Sequence, residues 1–210
     1  ENRTTFGLRN AVESNSPEIC EVLLAHPDID VDKKGGVYGT TALMVSCKLG
    51  YAAITRMLIA DPRVDVNSQG SNGITAAILA AAYNRTECLN ILKDNPRVDW
   101  NLMNNGTTAA FYAVVDNHTE AVRILSEIPS IDWNIDVVQG HNVLAWALLT
   151  RHVKGATVLR KYGLDPINDD ILRILFGIPS LDINIEKLKE LDVYEKAVSE
   201  AKNYLDHLMD

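Results

Sequence analysis

A seven-residue stretch recurs along this chain at a nearly constant interval. HPDIDVD (26–32), DPRVDVN (61–67), NPRVDWN (95–101), IPSIDWN (128–134) and IPSLDIN (178–184) share a proline at the second place and an aspartate at the fifth. That aspartate falls at 30, 65, 99 and 132, and at 165 in the variant GLDPIN, so the steps are 35, 34, 33 and 33 residues. Self-similarity at about 33 residues marks a solenoid in which each unit is one supersecondary element that buries its apolar face only against its neighbours. Every residue in such a chain has to be read in the register of its unit first.

The segment 73–105 shows the plan of a unit. Thr75 is placed to cap a helix start, because its hydroxyl accepts from a free backbone N–H two or three residues on. AAILAAA (76–82) is small and apolar, as suits a helix pressed from both sides, and Asn84-Arg85 reads as a turn. TECLNILKD (86–94) spaces Cys88, Leu89, Ile91 and Leu92 for one helix face, and Pro96 is a stop, since it lacks an N–H and clashes with the turn before it. Each unit is therefore helix, turn, helix and an extended connector. In register, the helix caps fall on Thr41, Thr75, Thr108 and Asn142.

The frame gives a solenoid over 1–184 with repeats at about 4–39, 40–73, 74–106, 107–140 and 141–168 and a half repeat at 169–184. The first repeat has a more polar inner helix, as expected of an end unit. Residues 185–210 read as one amphipathic helix with Leu191, Tyr194, Val198, Ala201, Leu205 and Leu208 on a stripe, expected to seal the far end, with a partner-binding coiled coil as the alternative.

These units resemble the ankyrin-repeat family from residue 4 to about 184. Thr41-Ala-Leu-Met matches the family's Thr-Pro-Leu-His helix start, Gly50-Tyr51 and Asn117-His118 match its Gly-His turn, and Val64-Asp-Val-Asn67 matches its hairpin stem. The resemblance implies an all-α solenoid with hairpin-like fingers, no catalytic or cofactor-binding residues, and a protein or peptide partner held by fingers and inner helices along a concave groove. The departures are regular. Ala42, Ala76, Ala109 and Val143 replace the family's proline. Met44, Ile78, Phe111 and Ala145 stand where its histidine ties neighbouring repeats together, so apolar contact is expected to take over that task.

Chemistry finds little support in the residues. His26, His118, His141, His152 and His207 occupy unrelated registers, no HExxH, CxxC, GxGxxG or Walker-type pattern occurs, and His118 and His152 fall in the inter-helix turn. The repeated Asp-x-Asn lacks the alternating ligands and final glutamate of a calcium loop. Asp30, Asp65, Asp99 and Asp132 are expected instead to bond the backbone of the hairpin stem. Trp100 and Trp133 share a register with Val31, Val66 and Ile183, which predicts a buried apolar column along the finger bases. No metal and no cofactor are expected.

A formal charge of −8, with basic residues no more clustered than pairs such as Lys33-Lys34, argues against nucleic acid. Cys20, Cys47 and Cys88 sit in apolar helix patterns and read as reduced core thiols, which suits the cytoplasm; export as a secreted effector is the open alternative. The sequons at Asn2, Asn84, Asn105 and Asn117 matter only for a secreted chain. No apolar run approaches the ~18–20 residues of a membrane span, and no signal segment opens the chain.

What is left is surface. In the fingers, Lys33, Lys34, Val37 and Tyr38 (33–39), Gln69, Ser71 and Asn72 (68–73), Leu102 and Met103 (102–106), and Asp136, Val137 and Val138 (136–140) are candidate contacts, because apolar groups sit where solvated ones belong. At the ends of the inner helices, Lys48, Tyr83, Asp116 and Thr150 extend the set, with Tyr83 the leading hot spot. Tyr112 and Trp146 read as core. A monomeric, non-catalytic interaction domain or scaffold is the expected function. The other reading, prompted by an opening Glu1 in place of Met and by the long last helix, is a regulatory or targeting module of a larger enzyme, channel or effector.

Overall fold

The computed structural model describes residues 5–133 and 135. Candidate contacts Asp136, Val137, Val138 and Thr150, the fifth and half repeats and the C-terminal helix lie outside the described residues.

Among the described residues eight helices form four antiparallel pairs: α1 (Thr5–Glu13) with α2 (Pro17–Leu24), α3 (Ala42–Leu49) with α4 (Ala52–Ala60), α5 (Ala76–Ala82) with α6 (Thr86–Lys93), and α7 (Ala109–Val115) with α8 (Thr119–Ser126). The first helices α1, α3, α5 and α7 stack in one layer and the second helices in the other. Between pairs the chain runs out into a short finger. Two fingers are pinched by isolated antiparallel bridges, Gly35 to Thr40 and Asn104 to Thr107, and the middle one carries a single 3-10 turn, Ser71–Gly73. No strand occurs among the described residues. The fold is an all-α solenoid.

Local chemistry explains each boundary. Thr41, Thr75 and Thr108 are extended residues whose hydroxyls accept from the backbone N–H of Met44, Ile78 and Phe111 at 3.2–3.3 Å, so α3, α5 and α7 each start on a satisfied donor. Each pair reverses through one left-handed residue, namely Asn15, Gly50, Asn84 and Asn117, with φ between 49° and 83°. Asparagine and glycine are the residues that adopt this conformation at little cost. The second helices stop a little earlier than the proline alone would require. In the second and third units the residue before proline turns the chain out of the helix end, since Asp61 and Asn95 each accept from the N–H two residues on, at Arg63 and Arg97, both at 2.9 Å.

The core runs continuously between the two layers. In α5 four alanines, Ala76, Ala77, Ala80 and Ala81, are buried beside Ile78 and Leu79, and the helix packs between α3 and α7. In α6, Cys88, Leu89 and Leu92 are fully buried, each leucine contributing about 1.5–3 kcal/mol. Met44, Ile78 and Phe111, in the family's histidine register, are buried as well. One small polar chain crosses this core: Thr55 donates to Ser46 Oγ at 3.0 Å, Ser46 donates to Leu43 O at 2.9 Å, and Thr55 Oγ1 lies 3.5 Å from Cys88 Sγ. The hydrogen bond to Cys88, with burial behind it, raises the Cys47 thiol well above its ordinary pKa. All three cysteines are free, buried thiols.

Candidate protein-binding surface

The fingers form a ridge because their backbones join. Ser71 N donates to Tyr38 O at 2.8 Å, and Asn105 N donates to Asn72 O at 3.0 Å. Two glycines permit this approach. A Cβ on Gly70 would stand 2.7 Å from Tyr38 O, and one on Gly73, whose φ is +90°, would stand 2.2 Å from Met103 O. Main chain thus packs on main chain while side chains project outward. Val37 is 92% exposed and Tyr38 64%.

The other described candidates distribute unevenly along this ridge. Lys33, Lys34, Gln69, Ser71 and Asn72 are exposed, Met103 is at the edge of exposure, and Leu102 is half-buried. At the ends of the first helices, Tyr83 and Asp116 are exposed and Lys48 is half-buried. Lys48 Nζ sits 5.4 Å from the centre of the Tyr83 ring, a cation–π contact that holds the ring in place. Tyr112 is half-buried, packed edge-on to Phe111, with its hydroxyl accepting from Asn104 Nδ2 at 3.0 Å.

Two sets of bonds stitch the finger bases. Asp65 and Asp99 accept from nearby backbone, at Asn67 N and Asn101 N within their own turns. Bonds between units come from the last residue of each stretch. Asp32 Oδ2 accepts from Asp65 N, Asn67 Oδ1 from Asp99 N and Asn101 Oδ1 from Asp132 N, at 2.8–2.9 Å. Asp30 is exposed, and its carbonyl accepts from Lys33 N. Trp100 and Trp133 are buried in a column with Val31 and Val66.

Arginines complete the stitching. Arg63 reaches back to the carbonyls of Leu24, His26 and Pro27, capping α2, and Arg97 reaches Val64 O and Ile59 O. In the inter-helix turns Arg85 donates to Lys48 O and His118 Nδ1 meets Ala81 O at 3.1 Å. Apolar contact is therefore not alone in joining the units. The signal for Arg63 and Arg97 was their identical place in DPRVD and NPRVD.

With this architecture in hand, comparison with known proteins is direct. The family described as ankyrin repeats (3 copies) matches residues 8–104 and 95–170, well over half of the chain. The chain belongs to the ankyrin-repeat family. No curated protein sequence matches it. Among solved structures it is similar to the crystal structure of EF0377, an ankyrin repeat protein, with 24% identity, a TM-score of 0.68 and coverage of 76% of this chain and 82% of that one. At that identity the likeness speaks for the ankyrin fold alone. Ankyrin repeats are in general protein–protein interaction modules, and the family is typically non-catalytic. Among the described residues no cluster of His, Cys, Asp or Glu is suited to a metal ion, and no helix is long and apolar enough to cross a membrane.

Proposed function

We propose that this ankyrin domain is a non-catalytic binding module that holds a protein or peptide against its finger ridge and the adjoining ends of its first helices. The observation behind this reading is the pair Val37 and Tyr38, well exposed on a finger whose backbone is braced by its neighbour. Apolar groups on a rigid support lose little entropy when they are covered, so they yield binding energy efficiently. Tyr83, steadied by Lys48, and Met103 extend the same chemistry to two more units. Lys33 and Lys34, both exposed, favour a partner with some acidic character beside its apolar anchors. An intracellular, cytoplasmic setting accords with three free, buried cysteines.

The experiment is capture of a partner by the purified chain, followed by the triple variant Tyr38→Ala, Tyr83→Ala and Met103→Ala. Binding is expected to fall at least 100-fold, since each hot-spot truncation costs about 2 kcal/mol or more. The melting temperature is expected to move by no more than about 2 °C, because surface substitutions rarely exceed ±0.5 kcal/mol. Binding that survives the triple variant would place the partner on another face.

A further inference from the structure

The second helices share one pattern of burial, and α2 breaks it. Counting from the residue before each helix, the third place is Ile54 in α4, Cys88 in α6 and Ala121 in α8, all fully buried. The sixth place is Met57, Ile91 and Ile124, half-buried or buried. These places face the preceding unit, as the contact of Cys88 Sγ with Thr55 Oγ1 of α4 shows. In α2 the same two places are Ile19 and Val22, exposed to 53% and 72%.

An end unit is expected to make such positions polar. The first helix does so, with Asn10 exposed and Arg9 paired to Glu13 at 2.8 Å. The second helix does not. Ile19 and Val22 stand one turn apart on one face of α2, rimmed by the exposed Glu18 and Glu21.

We propose that the Ile19–Val22 face seats the second helix of a further ankyrin unit, lying upstream of α1 in a longer form of this polypeptide. The occupant is set by continuity. α2 packs on α4 as α4 packs on α6 and α6 on α8, and the open face is the one that this stacking uses in every later unit. An occupant in this seat is an amphipathic helix that offers α2 the kind of face that α4 offers α6. Its place in the chain follows from the connectors. Residues 25–41, 61–75 and 94–108 separate each second helix from the next first helix, so a helix in this seat ends well ahead of Thr5.

The test introduces a thiol on the face, as Ile19→Cys and Val22→Cys, and follows its reaction with a maleimide. The native cysteines are buried and form a slow background. In the 210-residue chain the new thiol is expected to react as fast as one on an unstructured peptide. In the chain extended to the start of its reading frame it is expected to react at least tenfold more slowly. Equal rates in the two chains, or a reading frame with no upstream unit, would overturn the proposal. So would slow labelling already in the shorter chain, which would mean that the chain's own termini cover the face. Labelling that slows with protein concentration would assign the face to a second copy and also overturn it. An independent readout is Ile19→Glu with Val22→Lys. This variant is expected to lower the melting temperature of the extended chain and leave that of the shorter one unchanged; the reverse result sinks the idea.

Discussion

Asp32 stands in the register of Asn67 and Asn101 but lacks half of their chemistry. Each asparagine accepts from the next unit with its oxygen and donates its Nδ2 to a second carbonyl there, Arg97 O at 2.7 Å or Ser130 O at 2.8 Å. A carboxylate has no hydrogen to donate, and Asp32 Oδ1 is buried without a partner. Burial pushes its carboxyl above the usual range, the Asp65 N–H partly offsets this, and the charges of Asp65, Asp30 and Asp61 push the same way as burial. A raised folded-state pKa means that the folded chain holds the proton more tightly than the unfolded chain. The stabilisation is therefore complete below the unfolded pKa and is lost as pH rises through the folded one. Asp32→Asn restores the donor at every pH and is expected to stabilise the chain by about 1 kcal/mol at pH 7. That gain over the native sequence should shrink as pH falls towards 4, which denaturant melts at both pH values would measure; a loss at pH 7 would refute the argument. Trp100→Ala is expected to cost roughly 3–5 kcal/mol, since the ring is buried; in the same melts, a cost under about 1 kcal/mol would mean that it packs on nothing. The burial of that ring was legible in the sequence, because an apolar column repeats at the period. The role of Asp32 was not, because its likeness to Asn67 has meaning only once the partner carbonyl is placed.

At the scale of the element, helices and fingers differ in how far they can be read. The threonine caps and the left-handed Gly50 and Asn84 turns follow from local rules, in which a hydroxyl meets the N–H three residues on and a residue tolerates positive φ. A finger obeys no such local rule. Which side chains it exposes depends on which backbone atoms its neighbour contacts, and SQGSNG (68–73) says nothing about Tyr38 O or Met103 O. That is why Leu102 and Met103, equal candidates in the sequence, separate into a half-buried and a more exposed residue. Gly73→Ala tests the close approach. The new methyl would lie 2.2 Å from Met103 O at a φ of +90°, and the backbone conformation alone costs about 1–3 kcal/mol. Equilibrium unfolding is expected to show at least that loss, together with greater amide exchange at Asn105, whose N–H bonds to Asn72 O. A neutral substitution would mean that the fingers do not touch.

For the whole molecule, stability is a sum over units and the contacts between neighbours, so the position of a unit in the row governs how often it opens. The pairs α3–α4 and α5–α6 are flanked on both sides by others, whereas α1–α2 is flanked on one side among the described residues. The polar ties are shared in the same way. α2 receives its cap from Arg63 of the second unit. Two apolar side chains left in water forgo about 1.5–3 kcal/mol each relative to burial, and that shortfall is borne by the first pair. Hydrogen exchange followed peptide by peptide is therefore expected to grade along the chain. Amides of α1 and α2 should exchange at least tenfold faster than those of α5 and α6, and sealing the Ile19–Val22 face should slow α2 while leaving α5 and α6 as they were. Uniform protection from α1 to α6 would instead make the solenoid a single cooperative block, in which the missing contacts of the first unit are carried by every unit alike.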